Sequence, residues 1–193
     1  MSIIPAYSML ASTATTLMLC IIFLILSYQS DKHYMRLWGV SWLICSVMFF
    51  LDFINLNMPM HEISYAMFRQ QAALTSAYLF LLGTFRFFQM KFPGILHLLT
   101  VASLILITVY PASYSVFSLA VIPNVVYSSG LMIIAGCMFI SISWTQKLPE
   151  KLLASFFIIL WSIFINCFGF SLGENILATY TYFISIFTVN ILM

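Results

Sequence analysis

Apolar residues run through this chain in long blocks, and short polar stretches cut the blocks apart. None of the blocks carries the charged outer face that a helix on the surface of a soluble domain needs. A bilayer core takes about 20 residues of helix per crossing, and this ruler divides the chain into seven predicted helices. The first four cover about Ser8 to Gln29, Met35 to Leu56, Tyr65 to Phe88 and Gly94 to Tyr110. The last three cover about Leu119 to Trp144, Leu152 to Phe170 and Ile176 to Met193. The separators are SDKHYMR, NMPMHEIS, QMKFP, PASYS, TQKLPEK and SLGEN. Pro93 and Pro111 act as helix stops, and Pro123 either starts or kinks the fifth helix. No repeat of 20 to 50 residues and no inverted repeat stands out. The expected fold is therefore all-α, a single polytopic transmembrane bundle of seven helices spanning residues 1–193.

Composition agrees with this reading. With 63% hydrophobic and 6% charged residues among 193, polar surface is too scarce to cover a soluble globule of this size. The lipid bilayer is the expected partner. The start, MSIIPAYSMLASTATTL, lacks the positively charged region of a cleavable signal peptide, so the first block is read as a retained helix. A net charge of +2, with no basic cluster and no phosphate-cradling glycine loop, argues against nucleic acid.

The seven cations decide the topology. Lys32, Arg36, Arg86, Lys91, Lys147 and Lys151 lie at or beside the loops after helices one, three and five, whereas only Arg69 falls on the other half of the bundle. By the positive-inside rule those three loops are cytoplasmic, which puts the N-terminus outside and the C-terminus in the cytoplasm. Tyr34, Trp38, Phe92 and Trp144 fall where an aromatic belt is expected, and Trp42 is one turn deeper than Trp38; belt and core packing both suit them.

Ionisable side chains at membrane depth are costly and need a reason. Asp52 and Arg69 each lie about one turn inside the outer ends of helices two and three, so a short antiparallel hairpin brings them to similar depth. An ion pair between them is the simplest expectation. It serves either as a structural clamp or, with Gln70, Gln71 and Asn55, as a polar ligand-sensing site. Asn124 and Asn166 are read as interhelical hydrogen-bonding amides, and His61 and Glu62 as solvated loop residues. Cys20, Cys45, Cys137 and Cys167 all lie in apolar blocks without a CxxC pair, so they are read as buried small hydrophobes rather than a metal or disulfide framework. The histidines do not form a bis-histidine haem pair, and no serine or threonine has a histidine and carboxylate at plausible depth. Neither a metal, a cofactor nor a catalytic residue is therefore expected, and this chain alone is not read as an enzyme. Gly130 and Gly136 with Ser129 and Ala135 on helix five, and Ala11 with Thr15 on helix one, offer small-residue packing faces.

The opening of helix two, YMRLWGVSWLICSVMFFLDF, and the end of helix three, LFLLGTFRFF, resemble the N-terminal membrane region of bacterial sensor histidine kinases and diguanylate cyclases. The resemblance extends over about residues 8 to 145 and rests on soft motifs: an Arg-Leu-Trp start, an apolar helix with an acidic end, and a Leu-Gly-Thr-aromatic-Arg exit. It implies an inner-membrane sensor domain that signals in cis to a cytoplasmic kinase or cyclase output module, and it implies a homodimer. No such module follows Met193, and the last helix has no charged flank, so the chain is expected to be one domain of a longer protein. The alternative from another class is a small membrane transporter or substrate-binding membrane subunit, for which Pro123 with Asn124 is the one hint of a broken helix. A ligand-free scaffold subunit is a third.

Overall fold

The computed structural model describes residues 3–58, 62–109 and 114–146. Within them the chain forms five α-helices and no strand. These are α1 (Ile3–Ser30), α2 (His33–Asn57), α3 (Glu62–Phe87), α4 (Gly94–Val109) and α5 (Tyr114–Gln146). The sixth and seventh predicted helices lie outside the described residues. The first five appear in the order expected, with two notable changes at their starts. Helix α1 begins five residues earlier than the apolar block suggests. Helix α5 begins at Tyr114, so Pro123 lies inside it rather than at its start.

Short connections force neighbouring helices to run antiparallel. Only Asp31 and Lys32 separate α1 from α2, and Asp31 takes a left-handed φ of 50° to make the reversal. Arg36 braces that turn, donating from Nε to Ser27 Oγ at 3.1 Å and pairing with Asp31 at 3.2 Å. The α3 exit is also tight. Gln89 has φ 56°, its N–H bonds to the Arg86 carbonyl, and the Met90 N–H bonds back to the Phe85 carbonyl. Together these make a Schellman ending with a glutamine where glycine is usual.

Helices α2 and α3 form the centre. Helix α1 packs on α2, whereas α3 touches α2, α4 and α5. The α1 face against α2 is a column of small buried side chains, Ser12, Thr16, Cys20 and Ser27, rather than Ala11 with Thr15. That column lets the helices approach closely enough that a Cβ on Gly39 would sit 3.0 Å from Leu24. On α5, Ser129, Ala135 and Gly136 are buried, but a Cβ on Gly130 would meet nothing within 4 Å. Gly130 is therefore not a close-packing position among the described residues.

Trp38 and Trp42 are core residues. Trp38 sits among Phe23, Tyr34, Phe80, Phe87 and Phe139, and Trp42 stands edge-on to Phe80. Of the tryptophans on described helices only Trp144 is exposed. Cys20 and Cys45 are buried, but Cys137 is exposed, which corrects the reading of it as a buried hydrophobe; Cys167 lies outside the described residues.

The outer surface is apolar. Leu17, Met18, Ile21 and Ile25 on α1, and Ile95, Leu98, Val101 and Ile105 on α4, are all exposed. Among the described residues two helical stretches, Met9–Ser30 and His33–Asn55, are long and apolar enough to cross a membrane. Helix α3 is less apolar because it carries Arg69, Gln70, Gln71 and Arg86.

Candidate functional site

Among the described residues the α2–α3 interface carries three groups of polar side-chain contacts, arranged as rungs along the antiparallel pair. At one end the Trp38 indole lies across the α3 backbone and donates from Nε1 to the Phe80 carbonyl at 3.2 Å. Only glycine allows this, since a Cβ on Gly83 would fall 2.7 Å from the indole. In the middle, Ser41 Oγ donates to the Ser76 carbonyl at 2.9 Å, Ser76 Oγ donates to the Ser41 carbonyl at 3.1 Å, and Cys45 Sγ lies 2.9 Å from Ser76 Oγ. These reciprocal bonds satisfy hydroxyls that would otherwise be costly to bury.

The third rung is the ionic one. Asp52 is 5% exposed, and Arg69 Nε straddles its carboxylate, 3.2 Å from Oδ1 and 3.3 Å from Oδ2. The Tyr65 hydroxyl donates to Oδ1 as well. Tyr65 and Arg69 are four residues apart on α3 and so present their side chains on one face, where a single carboxylate from α2 accepts from both. The arginine side chain remains 35% exposed, so the node is closed on its Asp52 side and reachable on its Arg69 side.

The structure thus brings Asp52 and Arg69 together and adds Tyr65. Gln71 points elsewhere: its Nε2 donates to Thr108 Oγ1 at 3.0 Å and ties α3 to α4. Asn55, one turn beyond Asp52, and Gln70, beside Arg69, are half-buried, and both have interaction partners. His61 and the side chains of Glu62 and Asn124 lie outside the description, as does Asn166. Among the described residues no three His, Cys, Asp or Glu side chains converge as a metal site would require.

Two features were not legible as site residues. Tyr65 enters the sequence reading only as the start of the third predicted helix, although its i, i+4 spacing to Arg69 was a usable signal. His97 reads as isolated, yet the Tyr78 hydroxyl is hydrogen-bonded to its Nδ1 and its ring packs on Phe92 at a centroid distance of 4.6 Å. Nothing in the local sequence links residues 78 and 97; the turn between α3 and α4 does.

No protein-family model, curated protein or solved structure matches this chain.

Proposed function

We propose that the chain is the membrane-embedded input domain of a bacterial signal-transduction protein, a multi-pass bundle of the inner membrane that signals in cis to a cytoplasmic kinase or cyclase module. The supporting observation is the segregation of charge along the α2–α3 axis. At one end lies the Asp52–Arg69–Tyr65 node. At the other, Lys32, Arg36, Arg86 and Lys91 gather around the α1–α2 and α3–α4 turns, and the Tyr34 and Phe87 rings meet at 5.1 Å. Short loops rich in Lys and Arg stay on the cytoplasmic side, so the node faces the exterior. The exposed apolar faces of α1 and α4 fit a lipid surround and would be an aggregation hazard in water.

In this reading an external ligand that binds Arg69 or competes for Asp52 favours an arrangement in which the α2–α3 hairpin is differently clamped. The ligand shifts the domain only by its difference in affinity for the two arrangements. Gln71 and Thr108 pass the change to α4, and later helices carry it to the cytoplasm. Dimerisation of the domain is part of the proposal.

Side-selective cysteine labelling tests the orientation. A Lys91→Cys variant should react with an impermeant maleimide only from the cytoplasmic face, and Met58→Cys only from outside; the reverse pattern refutes it. Reading the coding sequence past residue 193 tests the role. A coiled linker followed by a kinase or cyclase module supports the input-domain reading, and a stop codon or further membrane helices without such a module overturns it.

A further inference from the structure

The turn that joins α3 to α4 borders an open-sided cavity of about 700 Å³ lined by Leu82, Arg86, Gln89, Met90, Lys91, Phe92 and His97. Its wall is two-sided in chemistry. Arg86 and Lys91 supply two full positive charges, Gln89 an amide, and His97 a ring held at the wall by Tyr78 and Phe92. Leu82, Met90 and Phe92 supply an apolar side that runs from the turn toward the bundle. Among the described residues no carboxylate neutralises Arg86 or Lys91: Asp31 is taken by Arg36, and Asp52 by Arg69 at the opposite end. The 16-residue α4 starts at Gly94, directly after the turn that carries Lys91 and Phe92.

We propose that this cavity is a binding site for a phosphate-bearing anion. Two cations of different shape and an amide donor line one space, and that combination suits a phosphate oxygen cluster better than a carboxylate or a neutral ligand. A guanidinium gives the planar fork and an ammonium the point charge with which phosphates are commonly held. The volume lies within the range of small-ligand sites. The apolar side and the exposed Ile95, Leu98 and Leu99 on α4 leave a path along which an acyl chain could lie, so the same chemistry accepts either a phospholipid headgroup or a free phosphate. The site is remote from the Asp52–Arg69 node and does not depend on it. The lipid form rests on the membrane placement proposed above, whereas the free-phosphate form does not.

The test uses the full chain purified in detergent and titrated with phosphatidylglycerol, with phosphatidylcholine, and separately with inorganic phosphate, bound species being counted by native mass spectrometry. Phosphatidylglycerol is expected to bind about tenfold better than phosphatidylcholine, on the order of the attraction two cations exert on an anionic headgroup. Arg86→Gln with Lys91→Gln should abolish that preference, and Lys91→Gln alone, at an exposed turn residue, should reduce it without touching the helices. Lys32→Gln, at the same end but outside the cavity, should leave it unchanged. Displacement of the lipid by millimolar inorganic phosphate assigns the site to free phosphate chemistry, and an undisplaced preference assigns it to the lipid headgroup. Equal binding of both lipids with no phosphate uptake overturns the proposal. So does a preference that survives loss of both cavity cations, or one that Lys32→Gln weakens equally.

Discussion

Replacing Gly83 by alanine separates packing from helix propensity, because the two predict opposite signs. In a helix interior Gly→Ala normally stabilises by about 1 kcal/mol. Here the new Cβ would lie 2.7 Å from both Cδ1 and Nε1 of Trp38 and 3.2 Å from the Tyr34 carbonyl oxygen. Carbon contacts are comfortable at about 3.5 to 4.0 Å, so the indole must retreat by roughly 1 Å. It has little room to do so, since Phe23, Tyr34, Phe80, Phe87 and Phe139 surround it with ring centroids 5.2 to 6.0 Å away. Retreat also stretches the 3.2 Å bond from Nε1 to the Phe80 carbonyl. Overpacking of this kind costs about 1 to 3 kcal/mol, and the weakened hydrogen bond adds about 0.5 to 1.5 kcal/mol. Steric cost outweighs propensity, and Gly83→Ala should destabilise by about 1 to 3 kcal/mol net. Equilibrium unfolding in mixed detergent and SDS micelles, followed by circular dichroism, measures it. With Trp38→Phe as background the clash is relieved, and the same glycine substitution should then be neutral or stabilising. An unchanged or raised stability for the single variant, or an equal loss in both backgrounds, would refute the account of Gly83 as the seat of the indole.

Arg69→Ala should cost about 2 kcal/mol, below the 3 to 5 kcal/mol of a fully buried pair because the arginine is partly exposed. Adding Asp52→Asn should recover part of that loss, and a double variant no more stable than Arg69→Ala alone contradicts the pairing. Tyr65→Phe removes one donor from the Asp52 carboxylate and should cost about 1 kcal/mol in the same unfolding measurement, with no loss at all counting against the three-membered node. Gln89→Gly should stabilise by about 0.5 to 1 kcal/mol, because the left-handed conformation that closes α3 carries no Cβ penalty for glycine. A destabilised Gln89→Gly chain would mean that the side chain matters more than its backbone.

The number and order of the first five helices follow from the lengths of the apolar blocks, and those need no knowledge of neighbours. The same holds for the meeting of Asp52 with Arg69, since a short antiparallel hairpin equalises depth whatever packs around it. What could not be read locally was facing. Trp38 and Trp42 suit a lipid interface as well as a core, and Cys137 looks as buried as Cys45; in a chain apolar on all sides, hydropathy does not say which side meets another helix. Helix α5 settles one open choice, because Pro123 could have started the helix or lain inside it, and the helix runs through it from Tyr114.

By itself, then, the sequence determined the all-helical class, the helix order and the separation of cations from the Asp52 end, all consequences of composition and spacing along one dimension. Tertiary structure alone decided three things. It set the indole of Trp38 over Gly83, added Tyr65 to the ion pair, and folded Arg86, Lys91 and His97 around a single cavity. Each depends on how far one helix is rotated and slid against the next. That is set by the small side chains, Ser12, Thr16, Cys20, Gly39 and Gly83, that allow close approach, and by the left-handed Asp31 and Gln89 that set the turns.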